Sequence, residues 1–243
     1  MDERFRSLME QGLEEFSVGL SDRQLNQFYE YYQMLLQWNK VMNLTAITEM
    51  EEVVTKHFVD SLALVKVMDR KSLEGMRVLD LGTGAGFPGI PLKIVFPDMS
   101  MILLDSLNKR IKFLDEVIGC LGLKGIRGIH GRAEEYGRDG EYRERFDLCV
   151  SRAVANLATL SEYCIPFVRI GGYFVPYKSG NVQDEISQAK GALKLLGGRV
   201  EDIAEFMLPG SKMSRALIKI RKTDGTAKRY PRKAGMPGKE PLH

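Results

Sequence analysis

Residues 78–91, VLDLGTGAGFPGIP, are where this chain most plainly invites a ligand. An apolar run, Val78 to Leu81, ends abruptly in glycines at alternating positions, Gly82, Gly84 and Gly86. Pro88 and the apolar Ile90, Leu92, Ile94 and Val95 follow. The pattern predicts a buried strand, a tight turn and a helix, with Pro88 at the helix start where a missing N–H costs least. Glycines there let a ligand approach the backbone, because no Cβ stands in the way. The first strand-to-helix turn of nucleotide-binding α/β domains is built this way.

The turn fits two templates. Gly84 to Gly89 matches the dinucleotide pattern G-x-G-x-x-G, and Gly82 to Gly86 matches the G-x-G-x-G turn of S-adenosylmethionine enzymes. Three neighbours favour the second. Asp80 puts an acid inside the strand, where a dinucleotide site usually has an apolar residue. Pro88 has no N–H to offer a pyrophosphate, and S-adenosylmethionine has no phosphate to need one. The next apolar run, Met101 to Leu104, ends in Asp105, an acid able to accept from both hydroxyls of a ribose, which either cofactor carries.

In open α/β sheets ligands sit beyond the carboxyl ends of the strands, so each later strand end is a candidate. After Asp105, Asn108 is expected to cap a helix, and Lys109 and Arg110 are either solvated surface or nucleic-acid contacts. Ala133 and Glu134 either border an adenine ring and accept from its amine, or form an ordinary acidic helix start. Arg152, in Ser151-Arg152-Ala153-Val154, lies nearest the expected methyl and can bind a cofactor carboxylate, a substrate phosphate or developing charge. Lys178 is expected to face the same cleft. The segment 151–154 has neither the Asn/Asp-Pro-Pro-aromatic sequence common in amine methylation nor a nucleophilic Cys for pyrimidine carbon methylation. An acceptor such as N7 of guanine already presents a lone pair, so catalysis there rests on in-line positioning and electrostatics, with no general base required.

These residues need a frame to hold them. Strands are expected at 76–81, 100–105, 126–130, 146–151 and 172–177, with helices at about 86–96, 107–121, 154–169 and 182–196. Such alternation predicts a parallel sheet with right-handed crossovers. Val200–Leu208 and Arg215–Arg221 read as two strands with no helix between them, hence an antiparallel hairpin. Together they predict a Rossmann-like α/β class I methyltransferase fold with a mostly parallel seven-stranded sheet. Residues 1–70 form an N-terminal helical segment, 71–222 the methyltransferase domain and 223–243 a basic tail. In the first segment Ser21 and Gln24 make a capping box, and Leu25, Phe28, Tyr29, Tyr32, Leu36 and Trp38 recur at helical spacing. That aromatic stripe is expected to dock on the main domain; the alternative is stacking on RNA bases. Lys56 and Asp60 share a helical face, and His57 is either structural or a ligand or acid/base group.

Composition narrows the class. No apolar run approaches the ~20 residues of a membrane span, and MDERFRSLMEQ has no secretory core. Cys120, Cys149 and Cys164 are odd in number, far apart and in apolar stretches, which predicts buried reduced thiols, a cytoplasmic protein and no metal site. Net charge is only +3, yet Lys212 to His243 carries ten basic residues against Asp224 and Glu240. That end is either a solvated terminus or an arm that grips phosphates. No apolar surface stripe compels a dimer, so a monomer is expected and the oligomeric state stays open.

Several motifs in one order carry a resemblance: NLTAIT at 43–48, KHFVDSL at 56–62, LDLGTGAGFPGIPLKI at 79–94, DSLNKR at 105–110, RAE at 132–134, SRAVANL at 151–157 and the tail YPRKAGMPGKEP. The chain resembles the bacterial ribosomal RNA small-subunit methyltransferase G family, also called glucose-inhibited division protein B. The resemblance implies S-adenosylmethionine as cofactor, 16S rRNA or the small ribosomal subunit as partner, and methylation of N7 of a guanine in the 530 loop. It implies cofactor contacts at Gly82, Phe87, Ala133, Glu134 and Arg152, to which the turn and strand-end arguments add Gly84 and Asp105. Phe87 stands where relatives carry Leu, so an apolar contact is what that position requires.

Overall fold

The computed structural model describes residues 2–152 and 155–243. Helix α1 (Glu3–Glu14) is capped by the Asp2 carboxylate and buries Phe5, Met9 and Leu13 on one stripe. Helix α2 (Asp22–Met42) begins at the expected Ser21–Gln24 capping box and ends at Asn43, which is left-handed at φ 48°. Its innermost side chains include Tyr31 and Leu35, while Tyr29 and Leu36, expected on the buried face, are only partly covered. The reason is that α2 has two neighbours. Tyr29 meets Phe5 of α1 at 5.2 Å, and Tyr31 turns the other way to Phe87 and Phe113. These rings are packed in the interior, as the docking reading expected.

The chain continues through α3 (Met50–Val53), a π-helical turn (Val54–Val59), α4 (Asp60–Leu62), a 3₁₀ turn (Ala63–Lys66) and α5 (Arg70–Leu73). Then strand and helix alternate: β1 (Arg77–Leu81), α6 (Gly89–Val95), β2 (Ser100–Asp105), α7 (Asn108–Cys120), β3 (Ile126–His130), α8 (Ala133–Tyr136), β4 (Phe146–Arg152), α9 (Leu157–Cys164), β5 (Val168–Lys178) and α10 (Gln183–Leu196). The hairpin β6 (Gly198–Met207) and β7 (Ser214–Lys222) and the short α11 (Met236–Lys239) close the chain. The sheet order is β3-β2-β1-β4-β5-β7-β6. Strands β1 to β5 pair in parallel, and β7 enters antiparallel between β5 and β6. This is the class I methyltransferase arrangement. Strand order reverses at β1/β4, so their carboxyl ends flank the natural ligand crevice.

Both faces of the sheet are apolar, as central parallel strands require. Val78, Leu103, Leu148 and Val150 join a core with α1, α2, α6 and α7. Leu79, Leu104, Cys149 and Phe174 join the other, with α9 and α10. The N-terminal helices therefore build one face of the domain's own core.

Several local expectations change. Pro88 precedes α6 instead of opening it, because Gly86 and Phe87 are still in a turn that bonds back to the Thr83 carbonyl. Asn108 does not cap α7; the Asp105 carboxylate accepts from the Leu107 amide in its place. Cys120 ends α7 on the surface, so only Cys149 and Cys164 are buried. Strand β5 starts at Val168, earlier than expected, and residues 153–154 lie outside the described residues.

The C-terminal segment is anchored on the domain and not a free arm, while its Lys228, Arg229, Lys233 and Lys239 stay exposed to solvent. Tyr230 is buried against the α9/α10 face, Pro237 accepts from the Thr159 hydroxyl, and Arg232 forks onto the fully buried Glu162. Glycine and proline give this segment little apolar mass of its own, so it is held by polar bonds to a preformed surface. Among the described residues no helix is long and apolar enough to cross a membrane, and no group of metal-ligating side chains converges.

Candidate active site

The glycine turn is tied down from three sides. The Gly82 amide donates to Leu104 O at 2.8 Å, and the Gly84 amide donates to Asp105 Oδ2 at 2.9 Å. From below, the buried Asp80 carboxylate accepts from Thr83 Oγ1 at 2.6 Å and from the Gly89 amide at 2.8 Å. From the N-terminal helices, the Tyr31 hydroxyl donates to Ala85 O. Gly82 and Gly84 are at φ 72° and 62°, a region that disfavours any Cβ. A Cβ on Gly82 would meet no atom within 4 Å, and one on Gly84 only Gly82 O at 4.0 Å, so both face open space. A turn so fixed, bare of side chains and open on one side, suits S-adenosylmethionine.

Burial pushes the Asp80 carboxyl up to about 7, against the opposing hydrogen bonds from Thr83 and Gly89. Its Oδ1 has no hydrogen-bond partner among the described residues. Asp80 is thus an internal brace for the turn, 0% exposed and out of reach of a substrate.

Beyond the turn opens a cleft of about 580 Å³, within the usual range for small-molecule sites. Gly82, Gly84 and Phe87 line it at the β1 end, Arg152 at the β4 end, and Lys178 at the β5 end. Asp105 lies directly behind, bonded to Gly84 and, at 3.1 Å, to Arg110, which does line the cleft. Ala133 and Glu134 do not line it. The β3 end is joined to Asp105 by the Gly131 amide, but the Glu134 carboxylate turns to accept from Gly235 of the C-terminal segment at 2.9 Å. Sequence reasoning had no means of pairing positions so far apart in the chain.

Arg152 is held from the N-terminal side. Its Nη1 donates to Lys56 O at 3.1 Å and to Asp60 Oδ2 at 3.2 Å, and its Nη2 lies 3.2 Å from His57 Nδ1. The guanidinium also sits 5.0 Å from the Phe87 ring centre, a cation–π distance. The π-helical turn presents the Lys56 and His57 carbonyls to this cation; such wide turns often mark functional sites. Asp60, 3% exposed, accepts from Arg152 on one oxygen and from Arg215 on the other, at 2.9 Å. Lys56 pairs with Glu52, not with its face-mate Asp60. Lys178 is committed to Ala155 O and Glu185.

His57 belongs to the site and is also structural. Its ring stacks on Phe87 at 4.5 Å and 16°. Burial, with the Arg152 cation second, lowers its pKa to about 3, so it is neutral at any ordinary pH. Thr45, Asp60, Tyr177, Met213 and Arg215 join the lining although nothing in the sequence had set them there as a group. Arg215 was legible only as part of the basic C-terminal run. Lys56, Arg110, Arg152, Lys178 and Arg215 line the cleft, and each is paired with a carboxylate, of Glu52, Asp105, Asp60, Glu185 and again Asp60 in turn, which leaves a small positive surplus.

The family model GidB, rRNA small subunit methyltransferase G, matches residues 24–218. A ribosomal RNA small subunit methyltransferase G of Lachnoclostridium phytofermentans is 54% identical, with 98% of each chain covered. One from Acetivibrio thermocellus is 50% identical over the whole of both chains. Among solved structures, the YcgJ protein of Bacillus subtilis matches with a TM-score of 0.53 at 13% identity, covering 70% of this chain and all of that one, which speaks to the fold alone. The chain belongs to the rRNA small subunit methyltransferase G family, S-adenosylmethionine-dependent enzymes that methylate small-subunit ribosomal RNA.

Proposed function

We propose that this protein methylates N7 of a guanine in the 530 loop of 16S rRNA. One observation carries the choice of acceptor: every acid or imidazole described at the cleft is already committed. Asp60 is held between two arginines, and both ring nitrogens of the neutral His57 have partners. Asp105 is bonded to Gly84, Leu107 and Arg110. A site of this kind suits an acceptor with no proton to lose, and guanine N7 carries a lone pair and no proton.

The residues that would hold the cofactor are Gly82, Gly84, Phe87 and Arg152, which line the cleft, with Asp105 directly behind the turn; Ala133 and Glu134, which the family resemblance implies, lie outside the cleft lining. When bound, S-adenosylmethionine supplies an electrophilic methyl group on a sulfonium, and the positive charge passes with that methyl to the acceptor ring. The chain's part is placement. The turn, braced by Asp80 and Tyr31, sets the depth of the site, and Phe87 gives it an apolar wall. Arg152, locked by Asp60 and the Lys56 and His57 carbonyls, is a fixed charge at the β4 end. The cleft cations orient the RNA backbone so that N7 lies in line with the methyl.

The test is methyl transfer from labelled S-adenosylmethionine to small subunits from cells lacking this enzyme, followed by nucleoside analysis. Label in 7-methylguanosine of 16S rRNA supports the proposal. Label in another nucleoside overturns the acceptor assignment and leaves the fold and cofactor standing.

A further inference from the structure

We propose that Thr45 is the residue that selects guanine, its hydroxyl donating a hydrogen bond to O6 of the acceptor base. The inference rests on the N7 reading above, and it follows from counting donors and acceptors around one half-buried imidazole.

Arg152 Nη2 lies 3.2 Å from His57 Nδ1. Arginine is a donor only, so Nδ1 must accept and the ring proton must sit on Nε2. Desolvation first and the Arg152 cation second keep the ring neutral, so only one of its nitrogens carries a proton. Nε2 lies 3.0 Å from Thr45 Oγ1, so Nε2–H donates and the hydroxyl oxygen accepts. The Ile47 amide donates to the same oxygen at 3.0 Å. A hydroxyl oxygen has two lone pairs, and both are now used. What remains is its proton, which no described residue accepts.

The side chain itself is not free to wander. Asn39 Oδ1 accepts from the Thr45 amide at 2.9 Å, and His57 is clamped between Arg152 and the Phe87 ring. Thr45 lines the same cleft as Gly84, Phe87 and Arg152. The fold thus aims one neutral donor, with no acceptor capacity left, into the site. The exposed edge of guanine beside N7 carries two acceptors, N7 and O6, whereas adenine has an amine donor in place of O6. N7 must keep its lone pair for the methyl, so the donor belongs on O6. Against adenine the same hydroxyl would face a second donor, and neither could be satisfied.

The experiment uses small subunits reconstituted with 16S rRNA that carries guanine or 2-aminopurine at the acceptor position, 2-aminopurine keeping N7 and lacking O6. For the wild type, losing O6 is expected to lower kcat/KM roughly ten- to a hundredfold. Thr45→Val should show a loss of at least that size on guanine and little further loss on 2-aminopurine. Thr45→Ser should behave as the wild type on both. Circular dichroism and thermal melting show that the variants are folded, and kcat/KM is taken at saturating cofactor; Thr45→Ala replaces Thr45→Val if the latter does not fold. A purely structural role would slow both substrates alike, so fully multiplying losses, or wild-type discrimination in Thr45→Val, would overturn the proposal. If the wild type makes no 7-methylguanosine on the guanine subunits while still binding cofactor, the N7 reading fails and this proposal with it.

Discussion

Replacing Arg232 by Met tests whether the C-terminal segment is part of the folded domain. Glu162 on α9 is 0% exposed, and its carboxylate accepts from the Arg232 backbone amide at 2.7 Å, from Nε at 3.0 Å and from Nη2 at 2.7 Å. Arg232→Met keeps much of the side-chain volume and strands the carboxylate. Breaking a buried pair by removing one partner costs about 3–5 kcal/mol, since the remaining charge stays desolvated. For a chain of this size each kcal/mol moves Tm by about 2–4 °C, so the variant should melt about 6–20 °C lower. Thermal unfolding followed by circular dichroism measures this. The double variant with Glu162→Gln should recover a large part of the loss, because no charge is then left unpaired. The salt dependence of rRNA binding should not change, as this guanidinium is spent on Glu162 and not on a phosphate. A Tm within about 2 °C of the wild type, with a salt slope lower by about one, would refute the reasoning and restore a phosphate-binding arm.

Three further outcomes follow from the site. Gly84→Val should abolish cofactor binding in calorimetry, since its side chain would project into open space at φ 62°; unchanged affinity would remove the turn from the site. Tyr31→Phe leaves the Ala85 carbonyl without its donor and should cost about 1–3 kcal/mol in urea unfolding and weaken cofactor binding, whereas a neutral effect would detach α2 from the turn. Asp80, pushed up to about 7 from an unfolded value near 4, favours folding most below pH ~4, and that contribution is lost as pH rises through about 7. Asp80→Asn, which cannot ionise, should therefore gain stability relative to the wild type as pH rises from about 4 to about 7. A stability difference that does not vary with pH would contradict the buried placement.

The sequence alone determined the fold class, the glycine turn with its acid at Asp105, and the family. Each is local: β1 and its turn occupy the consecutive residues 77–88, alternation of strand and helix has its own period, and the capping box at Ser21 spans four positions. Even the Arg152 strand end was legible, because a parallel sheet always presents its carboxyl ends to the ligand. Tertiary structure decided everything that needs two distant segments to meet. The π-helical turn and the start of α4 bring Lys56, His57 and Asp60 to Arg152 across more than ninety residues, and β7 delivers Arg215 to the other oxygen of Asp60. Whether Lys56 would pair with Asp60 or Glu52 turned on those rival cations. The C-terminal run reads as a charged tail because composition counts charges and not their partners. Its fate depended on Glu162, a carboxylate buried in α9 that only the assembled domain sets opposite Arg232.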